Sequence, residues 1–164
     1  MTYTISKLGP ADLETFGALL SVFAEAFAEP ETYNGARPSA AYLAHLLARD
    51  TVIALAALDG PEVVGGLVAY VLDKFEQARS EIYVYDLAVA APHRRRGVAT
   101  ALLRELQRLA RARGAWVIFI QADRADAPAV ALYSKLGRKE EVLHFDIPVR
   151  PEGAAEEREP SPEA

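Results

Sequence analysis

The 164-residue chain contains no cysteine, which excludes disulfide bonds and thiol chemistry. Its three histidines, His45, His93 and His144, are dispersed and do not have the spacing of a metal-ligand cluster. No apolar run approaches the ~20 residues needed to cross a bilayer, and the first six residues lack the charged and apolar regions of a signal peptide. These absences predict a cytoplasmic protein that needs no metal and has no membrane partner.

Positive charge is also scarce, because 18 Lys and Arg face 23 Asp and Glu for a net charge of -5. Residues 150–164 hold two arginines and five glutamates, a net charge of -3, so only -2 remains for residues 1–149. A mildly acidic body argues against a nucleic-acid partner and is compatible with a cationic substrate. The Pro, Glu, Ala and Gly after residue 150 predict a disordered acidic tail at 150–164, behind a single domain at 1–149.

Hydrophobic periodicity predicts ten elements in the order β-α-α-β-β-β-α-β-α-β. This order differs from a dinucleotide-binding fold, in which strands and helices alternate regularly. The predicted helices cover residues 10–27, 98–113 and 127–136, and Gly114 is the C-terminal stop of the helix at 98–113. Ser39 caps a further predicted helix, which carries Tyr42, Leu43, Leu46 and Leu47 on one face. The predicted strands cover residues 5–8, 51–58, 62–72, 81–89, 116–121 and 140–149.

A run of three arginines followed by Gly97 joins a predicted strand to the helix that begins at Val98. The first backbone N–H groups of a helix have no internal partner, and the helix dipole adds positive charge there. Such a turn suits a pyrophosphate, and Gly97 and the small Ala99 allow close approach. The alternative is an exposed turn with solvated arginines. The candidate phosphate-binding residues are Arg94, Arg95, Arg96, Gly97, Val98, Ala99 and Thr100.

The pattern Arg-x-x-Gly-x-Ala resembles the signature of the GNAT superfamily of N-acetyltransferases. Longer stretches at residues 75–77, 79–89, 121–123, 128–137 and 140–147 resemble the type I aminoglycoside 3-N-acetyltransferases, which include gentamicin-resistance enzymes. The resemblance implies an α/β (α+β) fold, the GNAT acyl-CoA N-acyltransferase fold. In this fold helices flank a central twisted mixed sheet, and the cofactor lies where two central strands part.

The resemblance also implies acetyl-CoA as co-substrate, a polycationic small-molecule amine as acceptor, and a homodimer. It places the pyrophosphate on the arginine turn and pairs the pantetheine arm with the backbone near Leu87, Ala88 and Val89. A backbone N–H of that strand would face the thioester oxygen. The amine would attack directly in a ternary complex.

Asp86 and Tyr133 are the candidate catalytic residues. Strand alternation predicts that Ile82, Val84, Asp86 and Ala88 share one face. A carboxylate there is costly without a partner, so Asp86 either bonds to neighbouring groups or binds the ammonium and accepts its proton. The resemblance implies that Tyr133 lies near the cofactor sulfur, whereas spacing alone is equally compatible with an aromatic packed on the sheet.

A polycationic acceptor needs several convergent acidic and polar groups. The candidates are Glu81, Tyr83, Asp123, Asp126 and Asp146. Asp126 alternatively caps the following helix, and Glu81 and Tyr83 alternatively pack at the sheet edge. The chain departs from the family pattern at Arg124 and Ala127, where an aromatic and more acid are usual. Acetylation of a polyamine or another small amine, or a non-catalytic acyl-CoA-binding module, are the alternative functions.

Overall fold

A five-stranded sheet forms the centre of the protein, and its strands lie in the same order as in the chain. The computed structural model describes residues 3–149. The strands are β1 Thr4–Leu8, β2 Val52–Asp59, β3 Glu62–Asp73, β4 Ser80–Val89 and β5 Ala115–Ile120. The helices are α1 Leu13–Ala26, α2 Ala40–Leu47, α3 Val98–Arg113 and α4 Ala127–Leu136, with a π turn at Glu31–Gly35 and a 3-10 turn at Ala91–His93.

The sheet is mixed. Neighbouring strands are antiparallel from β1 to β4, whereas β4 and β5 are parallel. A parallel pair needs a crossover connection, and α3 supplies it between β4 and β5. The mixed sheet with flanking helices confirms the predicted fold class.

Each face of the sheet has its own hydrophobic core, which explains the continuous apolar run of β2. α3 covers one face through Val98, Leu102 and Leu106, and α1 covers the other through Phe16, Leu19 and Phe23. The two cores are called the α3 side and the α1 side below. Gly66 in β3 allows α1 to approach closely, because a Cβ atom there would overlap Leu55 O and the side chain of Leu19.

The helix ends follow local sequence signals. Ser39 Oγ accepts a hydrogen bond from Tyr42 N–H (3.2 Å) at the start of α2, as predicted. Gly114 ends α3 in the left-handed conformation with a φ of 71°, also as predicted. α1 begins at Leu13 and not at Pro10, because Gly9 N–H donates to Asp12 Oδ2 (2.8 Å) in a turn that precedes the helix.

The predicted strand at residues 140–149 is wrong. Residues 138–149 form neither strand nor helix, and their large apolar side chains are 73% to 99% exposed. The alternating pattern is typical of a strand, but a strand also needs a hydrogen-bonded neighbour. In the described part of the chain β5 pairs with β4 alone, so the pattern is present without the pairing. The exposed residues are Val142, Leu143, Phe145, Ile147 and Val149.

Candidate active site

A gap opens between β4 and β5 halfway along the sheet. The two strands pair from Ser80 with Ala115 to Val84 with Ile120. β5 ends there, whereas β4 continues to Val89. The second half of β4 therefore keeps β3 on one side and faces the gap on the other. This parting of two central strands agrees with the fold predicted from the sequence.

Backbone groups of β4 point into the gap. Ala90 N–H donates to Val64 O (2.9 Å), which fixes the direction of the ladder between β4 and β3. Because alternate residues of a strand direct their peptide groups to opposite edges, those of Leu87 and Val89 face the gap and those of Ala88 face β3. Arg94 Nε–H donates to Val89 O (3.0 Å). The predicted pantetheine contact thus has two suitably directed backbone positions, Leu87 and Val89.

A β-bulge in β4 lies next to the gap. Asp86 is opposite Val68 of β3, and Val84 is opposite the next residue, Ala69, so Tyr85 has no counterpart. A bulge of this kind shifts the alternation of side chains by one residue and re-aims those that follow.

The bulge corrects the predicted placement of Asp86. Ile82 and Val84, before the bulge, pack in the core on the α3 side, and so does Leu87 after it. Ala88 packs in the core on the α1 side. Ile82, Val84, Asp86 and Ala88 therefore do not share a face, because Asp86 and Ala88 lie on the α1 side. The carboxylate is half-buried there and not inside the core under α3.

Tyr33 binds Asp86. This tyrosine comes from the π turn between α1 and α2, and its phenol O–H donates to Asp86 Oδ2 (3.0 Å). Burial raises the pKa of the Asp86 carboxyl above its ordinary value, the hydrogen bond from Tyr33 lowers it, and the nearby charge of Glu29 raises it. Burial and the Asp86 charge hold the pKa of Tyr33 well above the usual range of a phenol, so Tyr33 remains a donor.

Aromatic side chains surround the carboxylate and continue to the sheet edge. Tyr85 meets Tyr70 edge-on with ring centroids 5.9 Å apart and Tyr83 edge-on at 5.8 Å. Tyr83 stacks on Phe119 of β5 at 5.0 Å. Tyr85 is 63% exposed. These four rings form an aromatic surface beside the gap, and such a surface binds ammonium groups through their positive charge.

Two predicted acceptor-binding residues have partners within the protein. The Glu81 carboxylate lies 3.7 Å from Lys74 Nζ, which offsets its charge. Tyr83 O–H donates to Gln121 Oε1 (2.9 Å), across the point where β4 and β5 part. Tyr83 therefore belongs to the aromatic surface, whereas Glu81 belongs to an ion-pair group near the β3–β4 turn.

The remaining predicted acids lie in the loop between β5 and α4 and on the C-terminal segment. Asp126 Oδ1 accepts a hydrogen bond from Ala129 N–H (3.0 Å), so it acts as the N-cap of α4, the alternative stated for it. Asp123 lies in the same loop, and its carbonyl accepts from Asp126 N–H (3.0 Å). Asp146 is on the exposed C-terminal segment, 3.0 Å from His144 Nε2. Arg124 lies 3.4 Å from Glu141 and its side chain is 88% exposed, so it does not point into the protein.

The arginine turn has the geometry of an anion site. Arg95 and Gly97 both have left-handed φ values, 63° and 86°. The first internal bond of α3 runs from Ala101 N–H to Gly97 O (2.9 Å), so the N–H groups of Val98, Ala99 and Thr100 have no partner inside the helix. These groups, with the helix dipole, fit the predicted pyrophosphate.

Tyr133 approaches from the other face of the sheet. It is half-buried on α4 and packs against the core on the α3 side. Burial and the charge of Asp126 raise the pKa of Tyr133 to about 12, so its phenol stays protonated at neutral pH. Asp86 and Tyr133 therefore reach opposite faces of the sheet, and the gap between β4 and β5 connects the two faces.

The exposed side of α3 carries arginines beside a groove against β1. Thr100, Arg104 and Arg108 line this groove. Glu105 bonds to Arg108 at 2.7 Å, and this exposed pair has the i,i+3 spacing of a helix surface contact. Arg104 lies one helical turn after Thr100, the last of the candidate phosphate-binding residues.

Tyr33 and Glu29 were missed by the sequence interpretation. Both lie in the segment 29–38, whose prolines, asparagine and glycine predict a loop. The available signal was a tyrosine in an otherwise polar loop, and a lone aromatic gives no indication of which strand it contacts.

No helix among residues 3–149 is long and apolar enough to cross a membrane. In the same described residues, no three acidic or histidine side chains gather into a set that could hold a metal ion.

Comparison with known protein families gives a match to the model described as Acetyltransferase (GNAT) family, over residues 19–137. A curated relative, N-acetyltransferase 8B of Rattus norvegicus, is 29% identical over 89 residues, which are 54% of this chain. The aligned part spans only 40% of the length of that relative.

Solved structures give closer similarity. The aminoglycoside acetyltransferase HMB0005, from an uncultured soil metagenomic sample, is 59% identical, with a TM-score of 0.90. That alignment covers 92% of this chain and 100% of the other. The aminoglycoside acetyltransferase meta-AAC0020, also from an uncultured soil metagenomic sample and solved in complex with sisomicin, is 28% identical, with a TM-score of 0.84. Here the alignment covers 90% of this chain and 97% of the other.

Proposed function

The chain belongs to the acetyltransferase (GNAT) family, and we propose that it acetylates the 3-amine of aminoglycosides such as gentamicin, with acetyl-CoA as donor. The observation that carries the proposal is the half-buried Asp86, turned by the β4 bulge toward the aromatic surface beside the gap. The 59% identity to an aminoglycoside acetyltransferase supports the acceptor class. Acetylation would remove a charge from the drug, and resistance would follow.

The donor fits the α3 end of the gap. The N–H groups at the start of α3 and the arginines before it supply donors for the pyrophosphate. The backbone of Leu87 and Val89 offers groups to pair with the pantetheine arm, which would lead the thioester along β4 toward Asp86. A backbone N–H of this edge would polarise the thioester oxygen as charge develops on it.

The acceptor fits the α1 side of the gap. Its ammonium groups are suited to the faces of Tyr70, Tyr83 and Tyr85. The reacting amine must lose a proton before or during attack, and Asp86 is the base within this surface. Burial raises the pKa of Asp86, which makes it a stronger base than an ordinary aspartate.

The reaction needs no covalent enzyme intermediate. The bound ammonium first gives one proton to Asp86, which passes it to solvent. The neutral amine nitrogen then forms a bond to the acetyl carbonyl carbon, and Asp86 receives its second proton. The carbon–sulfur bond breaks, and Tyr133 donates its phenol proton to the leaving sulfur. Solvent returns a proton to Tyr133 and removes the second one from Asp86, so the net products are the amide, free CoA and one proton.

Thiol release from acetyl-CoA with gentamicin as acceptor tests the proposal, with spermidine in parallel and a reaction without acceptor as the blank. We expect release with gentamicin and a product acetylated at the 3-amine by mass and NMR mapping. Release with spermidine and none with gentamicin would refute the acceptor class. Coenzyme A binding without turnover of any amine would instead identify a binding module.

We also propose that the chain forms a homodimer through β5 and the C-terminal segment. β5 is an edge strand of the described sheet, and Trp116 on it is 70% exposed. Phe75, in the turn before β4, is 100% exposed, and Phe145 and Ile147 are 77% and 86% exposed. An unpaired edge next to several exposed apolar side chains is a surface that proteins normally cover.

Sedimentation of the full chain at several concentrations tests this second proposal. We expect a dimer for the wild type and a monomer for Ile147→Asp, which places a charge in the exposed apolar row. Lys139→Asp is the matched control, since it alters charge in the same segment outside that row. A monomeric wild type at all concentrations would refute the proposal.

A further inference from the structure

The contact between Tyr33 and Asp86 joins two parts of the protein that are distant in the chain. Tyr33 lies in the π turn Glu31–Gly35, and Asp86 follows the bulge of β4. The phenol oxygen is 3.0 Å from Asp86 Oδ2. Among residues 3–149 the hydrogen bond to this carboxylate is made to Oδ2 and none is made to Oδ1, so the two carboxylate oxygens are in different environments.

We propose that Tyr33 is a positioning residue for Asp86: its O–H holds Oδ2 in place and directs Oδ1 toward the amine of the acceptor. This inference rests on the proposed function, because it concerns the base of that reaction. Tyr33 acts through Asp86 and does not itself exchange a proton with the substrate.

The aromatic ring of Tyr33 is held well enough for this role. Its centroid lies 5.8 Å from that of Phe23 and 5.8 Å from that of Phe27, both on or directly after α1. Tyr33 N–H donates to Glu29 O (3.3 Å), which fixes the backbone of the turn. A side chain restrained at both its ring and its backbone presents its hydroxyl in one direction, which is what orientation of a base requires.

Among residues 3–149, the titratable groups around Asp86 come from three parts of the fold, and they include Tyr85, its neighbour on β4. The connection between α1 and α2 contributes Tyr33 and Glu29, β3 contributes Tyr70, and β4 contributes Tyr83. Of these, Tyr33 stabilises the ionised carboxylate by donating to it, and Glu29 destabilises it by repulsion. The two residues therefore act in opposite directions on the same group, which provides a signed test.

The test is a carbon-13 NMR titration of the aspartate carboxyl groups in the full chain, with the Asp86 signal assigned by its loss in Asp86→Asn. We expect the Asp86 midpoint to move to higher pH in Tyr33→Phe and to lower pH in Glu29→Gln. Tyr42→Phe is the control, since this exposed phenol lies on α2. The midpoint of Asp86 should not move in that variant. The phenylalanine ring keeps the contacts with Phe23 and Phe27, and thermal melting checks that the variant is folded.

The kinetic readout uses the same variants with gentamicin and acetyl-CoA. Activity requires ionised Asp86, so the acid limb of kcat/KM should move in the same direction as the NMR midpoint. On the acid limb we expect kcat/KM of Tyr33→Phe to be about threefold to tenfold below that of the wild type, because a hydrogen bond to a charged group is removed. The loss of kcat/KM should be smaller at high pH.

The outcomes separate the two proposals. An unmoved midpoint in a folded Tyr33→Phe that still acetylates gentamicin overturns the positioning role alone. A rate loss that is equal at every pH, with an unmoved midpoint, also overturns it, because a merely structural role gives that result. A moved midpoint in a protein that acetylates no aminoglycoside overturns the positioning role together with the proposed function.

Discussion

Replacement of Gly97 by alanine isolates the contribution of the arginine turn. Gly97 has a φ of 86°, and a Cβ atom there would meet nothing within 4 Å. The cost of the substitution is therefore one of backbone conformation and not of steric overlap. A left-handed conformation costs an L-residue about 1–2 kcal/mol, and the reduced entropy of the unfolded chain returns about 0.4–1 kcal/mol.

The expected net loss of stability is about 1 kcal/mol, which lowers the Tm of a chain of this size by about 2–4 °C. The N–H groups of Val98, Ala99 and Thr100 meet a pyrophosphate only if the preceding residue keeps its left-handed conformation. If alanine lets the turn relax in the free protein, binding must restore that conformation, and the strain then appears in binding in place of stability: the Kd for coenzyme A rises by about 5-fold to 30-fold.

Two other glycines give matched controls. Gly60, in the turn between β2 and β3, and Gly114, at the end of α3, have φ values of 60° and 71°, and a Cβ at either meets nothing within 4 Å. Gly60→Ala and Gly114→Ala carry the same backbone cost outside the turn. Calorimetric titration with coenzyme A should give them a wild-type Kd and a similarly lowered Tm. A Gly97→Ala variant in which the Tm is unchanged, so that the turn has relaxed, and the Kd is also unchanged would refute the assignment of the turn.

Three further predictions concern the site and the core. Asp86→Asn should lower kcat by at least about 30-fold, equivalent to ~2 kcal/mol of barrier. Calorimetry should give an unchanged Kd for coenzyme A, and the Tm should not fall, because a half-buried charge is removed. Turnover at the wild-type rate would exclude Asp86 as the base. Tyr133→Phe should lower kcat without weakening coenzyme A binding. In the wild type, the pH profile of kcat should show no alkaline fall due to Tyr133 below about pH 11, because the pKa of Tyr133 is about 12. A fall of kcat near pH 8 that disappears in Tyr133→Phe would contradict this. Gly66→Ala should fail to give a cooperative thermal transition, because its Cβ overlaps Leu55 O and Leu19; a melting curve like that of the wild type would show that α1 can move away.

Local chemistry made much of the fold predictable. The arginine turn, the cap at Ser39 and the stop at Gly114 depend on residues next to one another in the chain, so their signals were visible in the sequence. The apolar periods located nine of the ten predicted elements, because both faces of the sheet are buried and each strand needs apolar residues. The segment 140–149 was predicted wrongly because alternating apolar residues indicate which side chains a strand would bury. They do not indicate whether a neighbouring strand is present to pair with it.

The candidate site was less predictable for a similar reason. Asp86 was identified, but its face was not, because β4 contains no glycine or proline that would mark the extra residue Tyr85 as a bulge. Tyr33 was missed because its contact spans 53 residues. The sequence around Asp126 was compatible with acceptor binding and with an N-cap of α4, and the structure shows the N-cap. Long-range packing decides such questions, and a single sequence contains no direct record of it.

The bulge at Tyr85 makes the site depend on the number of residues in β4 as well as on their types. The extra residue places Asp86 on the α1 side: if all ten residues of β4 alternated without a bulge, Asp86 would enter the core beneath α3, and Leu87 and Val89 would turn to the α1 side. Deletion of Tyr85 would leave Asp86 on its present face, because Val84 and Asp86 already pair with successive residues of β3. A β4 that kept its length but lost the bulge would therefore lose base, backbone edge and core packing together, whereas loss of Tyr85 alone would remove one aromatic ring and preserve the face of the base.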